Sequence, residues 1–156
     1  MKKLLFITII LASCSDDEYS NLYAVDSRVS VYVERFFAEA EERGKFFDRT
    51  DLIATIVDTP NGKPNPFEPG LYKELQSGQK VVLFDKYVFE TNSDMENEVM
   101  VFHELGHWRG LHHCDPCPDT VIMNSHTNFY MYDPRNSRAH KDRREKVLDY
   151  FFSQMN

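Results

Sequence analysis

HELGHWRGLHH, at residues 103–113, contains four of the six histidines of this 156-residue chain. On a helix, positions i and i+4 are separated by only about 40° around the axis, so His103 and His107 are expected to project from one face, one turn apart. They can therefore bind the same metal ion. Glu104 is displaced around the helix and is expected beside the metal, where a carboxylate can accept a proton from metal-bound water.

Gly110 offers a way to bring a third ligand to the same ion. Glycine tolerates the left-handed backbone conformation at a helix C-cap, so Gly110 is expected to end the helix and turn the chain back. His113, three residues later, can then approach the metal. Three neutral imidazoles with a water in the fourth position form an open, catalytic type of zinc site. Three histidines also favour zinc over other divalent metals.

The pattern H-E-x-x-H-x-x-G-x-x-H resembles the metzincin clan of zinc endopeptidases at all of its fixed positions. The resemblance implies one catalytic Zn²⁺ on His103, His107 and His113, with Glu104 as the general base. It implies an α+β fold: a small, twisted mixed sheet with a backing helix and the active-site helix, then a smaller part with a Met-turn and a final helix. The clan's edge strand, which binds substrate as an added antiparallel strand, is expected within or near Val81–Phe89.

The Met-turn of the clan is a tight turn whose methionine forms an apolar base under the zinc ligands. Thr120–Ser125 (TVIMNS) fits it, and Met123 is the candidate. Met131 is the competitor, and a plain core methionine is the alternative reading. Some metzincins have a tyrosine two residues after the methionine, where this chain has Ser125. The residues that could stabilise the oxyanion instead are Tyr130, Tyr132 and His126, although each could equally be an ordinary loop residue.

Cys114 and Cys117 directly follow the third candidate ligand. In archaemetzincins, cysteines after this histidine belong to a second zinc site, but this chain has no later C-x-x-C to complete one. In a secreted protein with an acylated Cys14, the remaining pair is even, so a local disulfide is the expectation. His112 is expected at the surface or next to a ligand, because only position 113 has the register of the third ligand.

The N-terminal segment MKKLLFITIILASC reads as a secretory signal, with two lysines, an apolar run and small residues before Cys14. It resembles the lipobox of bacterial lipoproteins, which implies cleavage before Cys14 and acylation of that cysteine; a plain signal peptide with a chance cysteine is the alternative. Cleavage would remove 13 of the 156 residues, including two lysines, and leave 143 residues with a net charge of −9 instead of −7. The expected location is the bacterial cell envelope, as an outer-membrane lipoprotein facing the periplasm or the cell surface.

The composition is that of one acidic domain. A net charge of −7 argues against a nucleic-acid partner, because phosphates would be repelled. The expected division is a signal peptide at 1–13, an acylated cysteine with a flexible acidic tether at 14–25, and a metzincin-like catalytic domain at 26–156. The expected partners are a protein or peptide substrate and a membrane reached through the lipid anchor, and the chain is expected to be a monomer.

Periodicity and turn residues predict the elements of this domain. A capping box at Ser93 and Glu96 predicts the start of the active-site helix. Apolar stripes predict buried faces on the first helix (Val29, Val33, Phe36, Phe37, Ala40), on the active-site helix (Val101, Leu105, Trp108) and on the last helix (Val147, Leu148, Phe151, Phe152). The predicted elements are helices at Asp26–Gly44, Asp94–Gly110 and Arg138–Gln154, strands at Leu52–Val57 and Val81–Phe89, and a long loop at Pro60–Gly70.

These observations predict a zinc-dependent metalloendopeptidase that acts on proteins or peptides outside the cytoplasm. Two alternatives stay open at this point. The chain could be a zinc-containing surface lipoprotein that captures peptides without cleaving them, or a zinc hydrolase of a non-protein amide. The motif indicates the type of reaction more closely than it indicates the substrate.

Overall fold

A computed structural model describes residues 23–58, 69–118, 121–125 and 138–156 of the chain. These residues form an α+β fold, as predicted, with a mixed four-stranded sheet and four helices. In chain order the elements are β1 (Ala24–Val25), α1 (Ser30–Glu42), β2 (Leu52–Val57), β3 (Gly70–Glu74), β4 (Lys80–Asp85), α2 (Lys86–Thr91), α3 (Asp94–Trp108) and α4 (Arg138–Ser153). Among the residues described, no helix is long and apolar enough to cross a membrane.

The sheet has the strand order β1-β2-β4-β3. β1, β2 and β4 are parallel, whereas β3 runs antiparallel to β4 with Gly70 opposite Phe84. Since β4 has a neighbour on each side, the edge strand expected within or near Val81–Phe89 does not lie within that range. β3 is the edge strand on that side of the sheet.

The predicted strand Val81–Phe89 is also too long. β4 ends at Asp85, and Lys86–Thr91 form α2. The Asp85 side chain accepts a hydrogen bond from the backbone N–H of Val88 at 3.0 Å, so it caps the new helix. An N-cap aspartate stabilises the start of a helix, and the β-propensity of the residues that follow depends on their tertiary context.

β3 was not predicted, because Gly70 was assigned to a long loop. Of that loop, residues 60–68 lie outside the described part of the chain. The strand is short and half-exposed, and its hydrogen bonds come from pairing with β4. Its own sequence has no pattern that predicts a strand. Such a strand depends on tertiary context more than on local propensity.

The first helix starts later than predicted. Asp26 is not its N-cap, because its carboxylate accepts the backbone N–H and the guanidinium of Arg28 instead, and α1 begins at Ser30. β1 precedes it and pairs with β2, so Ala24 and Val25, assigned to the tether, belong to the folded part. The buried stripe of α1 and its end near Gly44, with a φ of 71°, are as predicted.

The core lies where α1, α3 and α4 meet the sheet. Phe36 is at its centre, with ring centroids 5.4 Å from Phe102 on α3 and 5.2 Å from Phe152 on α4. The apolar residues predicted on α3 are buried, as are Leu148, Phe151 and Phe152 on α4, while Val147 is partly buried. Most residues of α3 are buried in this core, and the His103 ring on α3 contacts the carbonyl of Ile122.

Candidate metal centre

Three histidine side chains point their Nε2 atoms at one another. The Nε2 atom of His103 lies 3.0 Å from that of His113 and 3.2 Å from that of His107, and the His107 and His113 atoms are 3.1 Å apart. Within the described residues, these three histidines form the one group with the spacing of a metal site. The structure therefore brings together the three ligands predicted from the sequence.

Backbone carbonyl groups orient two of these rings. The Nδ1 atom of His103 lies 2.6 Å from the carbonyl oxygen of Ile122, and that of His107 lies 2.8 Å from the carbonyl oxygen of Leu111. A carbonyl oxygen only accepts hydrogen bonds, so in each ring Nδ1 carries the proton and donates. The two Nε2 atoms that face each other are therefore bare lone pairs, which is how a metal-binding histidine is held.

The electrostatics favour neutral imidazoles at the centre. Burial lowers the pKa of His103 to about 4, and burial also lowers the pKa of His107. At neutral pH two lone pairs then lie 3.2 Å apart and repel each other. A cation between them would turn this repulsion into attraction.

The residues fit a tetrahedral zinc ion. Zinc binds imidazole nitrogen at about 2.0–2.1 Å, so two nitrogens in a tetrahedral site are separated by about 3.3–3.4 Å. The separations of 3.0–3.2 Å observed here need only a few tenths of an ångström of expansion. His113 is solvent-exposed while the other two ligands are half-buried, so the site is open to solvent on the His113 side.

Gly110 produces the turn that brings His113 back to α3. Its φ is 86°, its N–H donates to the carbonyl of His107, and the N–H of Leu111 donates to the carbonyl of Gly106. This is the expected left-handed C-cap. The turn also places the Leu111 carbonyl next to the His107 ring, so the same reversal supplies one ligand and orients another.

Met123, the Met-turn candidate, is buried against α3. Its sulfur is so close to α3 that a Cβ atom at Gly106 would collide with it. Its carbonyl accepts the N–H of Cys114 at 3.1 Å, and the preceding residue, Ile122, orients the His103 ring. Gly106 was not singled out from the sequence, although a glycine within a regular helix is a sign of close approach.

Glu104 is buried between α3 and the edge strand. Its carboxyl group accepts a hydrogen bond from the backbone N–H of Tyr72, and burial raises its pKa to about 8. Burial thus favours the protonated, neutral carboxyl group, whereas a nearby positive charge lowers a carboxyl pKa and favours the carboxylate that a general base needs. Neither Tyr72 nor Gly70, which touches the same carboxyl group, was identified from the sequence, because both belong to the strand that the sequence did not reveal.

The loop between His113 and the Met-turn is tied together locally. Cys114 and Cys117 form a disulfide, and the Asn124 side chain donates to the carbonyl of Cys117 at 2.7 Å. Ser125, at the position where some metzincins have a tyrosine, donates its hydroxyl to the carboxylate of Asp115. His112 is exposed and outside the histidine cluster.

Several predicted positions lie outside the described part of the chain. They are the signal peptide at 1–13, the proposed acylation site Cys14 with most of its tether, the first residue of the Met-turn segment, Thr120, the competing methionine Met131, and the oxyanion candidates His126, Tyr130 and Tyr132.

The histidine cluster, the buried Glu104 and the turn at Met123 all follow from the sequence and structure of this chain. No protein-family model, curated protein or solved structure matches the chain.

Proposed function

We propose that this protein is a zinc-dependent metalloendopeptidase of the metzincin type. The observation that carries the proposal is the convergence of three Nε2 atoms within 3.2 Å of one another, with two of the rings locked by backbone carbonyls. Structural zinc sites are closed by four protein ligands, whereas three protein ligands leave a position for water or substrate. The described residues offer three.

Each residue has a separate role in this proposal. His103, His107 and His113 would hold the zinc ion, which when bound supplies a Lewis acid and lowers the pKa of a bound water. Glu104 accepts the proton of the attacking water and returns it to the leaving amine. Met123 forms the apolar floor that keeps the ligand-bearing segments in register.

The proposed substrate is a protein or peptide in extended conformation. β3 is an edge strand, and an extended peptide can add to such an edge through backbone hydrogen bonds. Glu104 lies against this strand, so a peptide held there would lie near the general base. We further propose that the chain acts at the bacterial cell envelope, anchored through Cys14.

The test measures metal content and cleavage of casein and a peptide library by the full-length chain and by Glu104→Ala. The proposal expects one zinc per chain in both proteins and a loss of cleavage by at least about a thousandfold in the variant, since the base is removed while the ligands stay. Glu42→Ala, which changes an exposed glutamate on α1, is the matched control and should cleave like the wild type.

The other outcomes separate the alternatives. Zinc binding without cleavage by either protein would favour a peptide-binding lipoprotein, and cleavage of cell-wall or small amides in place of casein would favour a hydrolase of non-protein amides. A chain that binds no zinc, or a Glu104→Ala variant as active as the wild type, would contradict the mechanism.

A further inference from the structure

The edge strand and the active-site helix approach each other most closely at one glycine. A Cβ atom built on Gly70 would lie 2.5 Å from both Cγ and Oε1 of Glu104 and 2.7 Å from its Cδ. Real Cβ atoms do not come this close to other heavy atoms. Any side chain at position 70 would therefore displace the carboxyl group of Glu104 or push the strand away from α3.

The reason that position 70 is a glycine is not its backbone conformation. The glycines of this chain with positive φ are Gly44, Gly78 and Gly110, among the described residues, and Gly70 is not one of them. Its backbone is that of an ordinary strand residue paired with Phe84. A glycine weakens a strand, so a glycine within one often marks a place where another group approaches closely. Here the group that approaches is the carboxyl group of Glu104.

The same strand also fixes the direction of that carboxyl group. Two residues after Gly70, the backbone N–H of Tyr72 donates a hydrogen bond to it. Glu104 is 6% exposed, so few alternative positions are open to its side chain. β3 thus supplies the space for the carboxyl group through Gly70 and a hydrogen-bond donor through Tyr72.

We propose that Gly70 is a positioning residue for Glu104: its missing side chain lets the edge strand hold the general base in place. The catalytic meaning of this inference rests on the proposed function, but the contact itself does not. Since β3 is also the strand to which a peptide would add, substrate and base would be aligned by one element. A shift of the strand would then move both together.

The first experiment tests the contact without any assay of activity. Urea unfolding midpoints are compared for the wild type, Gly70→Ala, Glu104→Ala and the double variant, all as full-length metal-free chains. Residues in contact give non-additive effects. Gly70→Ala should lower the midpoint of the wild type clearly, and at least half of this loss should disappear when Glu104 is already alanine.

Lys73→Ala is the matched control, because Lys73 is exposed on the same strand. Its effect should be the same in both backgrounds. If Gly70→Ala alone does not fold, recovery of folding in the double variant supports the contact, and an unfolded double variant overturns it. Equal losses from Gly70→Ala with and without Glu104 also overturn it.

The second experiment asks whether the contact positions the base. In the cleavage assay, Gly70→Ala should lower kcat at least tenfold while KM stays within twofold and the zinc content stays at the wild-type level. Lys73→Ala, the exposed change on the same strand, should leave kcat and KM at the wild-type level.

The two experiments fail in different ways. If the chain cleaves nothing, the unfolding cycle still decides whether Gly70 and Glu104 are coupled, and only the proposed function is contradicted. If the chain is a protease but kcat is unchanged in Gly70→Ala, or Lys73→Ala lowers kcat as much as Gly70→Ala does, the positioning role is wrong.

Discussion

At the scale of single residues, the tautomers of the histidines determine what the site can bind. The Nδ1–H groups of His103 and His107 donate to the carbonyls of Ile122 and Leu111, so both Nε2 atoms are acceptors and lie 3.2 Å apart. Two lone pairs that face each other in a half-buried site repel, and this costs free energy. A bound cation removes that cost, which is why the arrangement indicates a metal site more strongly than the number of histidines does.

The adjacent histidines at positions 112 and 113 provide a direct check of this geometry. His113→Ala should weaken zinc binding by at least about a hundredfold, because it removes one of three ligands. His112→Ala should leave the affinity within about threefold, because that residue is exposed and outside the cluster. Competition titration against a zinc chelator measures both. Equal effects of the two substitutions would contradict the assignment of His113, and not His112, as the third ligand.

At the scale of elements, ion pairs across three helices hold α3 in place. Glu98 on α3 is 6% exposed and lies between two arginines: Arg35 on α1, at 3.0 Å, and Arg144 on α4, at 2.9 Å. Arg144 also pairs with Glu39 on α1. Ion pairs therefore connect α4 to α1 and α3, in addition to the contacts of the phenylalanine core.

Removal of Arg144 should loosen α4. Arg144→Ala leaves the carboxylate of Glu98 with one partner fewer in a poorly solvated position, and the loss of a partner from a largely buried pair costs about 2–4 kcal/mol. Lys146→Ala, at an exposed position on the same helix, should change stability by less than about 0.5 kcal/mol. Urea unfolding of the metal-free proteins measures both values. A loss under 1 kcal/mol for Arg144→Ala would show that the phenylalanine core alone holds α4.

At the scale of the whole molecule, the candidate metal centre ties α3 to the two segments that follow it in the chain. His103 and His107 lie on α3, His113 lies beyond the turn at Gly110, and the His103 ring is held by the Met-turn through Ile122. A ligand that binds only the folded state stabilises it by mass action. Zinc should therefore stabilise the entire fold and not only the loop that contains His113.

The expected size of this effect follows from linkage. Free zinc at about a hundred times its Kd should add about 2.7 kcal/mol to the free energy of unfolding, and raise Tm accordingly. A chelator should reverse the increase, and the variant His103→Ala should show none. Thermal unfolding with zinc, with magnesium and with chelator measures it, with magnesium expected to have little effect because imidazole suits zinc better. A Tm that zinc does not change would contradict a metal site in the folded chain.

The local parts of this protein could be predicted from its sequence. The capping box at Ser93 and Glu96, the left-handed turn at Gly110 and the spacing of the histidines depend on backbone geometry within a few residues, so they could be predicted and are found in the structure. The buried faces of α1, α3 and α4 follow from helical periodicity in the same way. The chemistry assigned to these residues stays a prediction.

The surroundings of those residues come from contacts between separate elements. β3 depends on pairing with β4, and the end of β4 depends on the cap at Asp85, so neither the edge strand nor the end of β4 could be predicted from the sequence. The contact of Gly70 with Glu104 joins residues that the sequence separates by 34 positions. Likewise, the carbonyl that fixes the tautomer of His103 comes from the Met-turn. Non-local contacts leave no periodic signal in the chain, because they form only when separate elements are brought into register by a shared core.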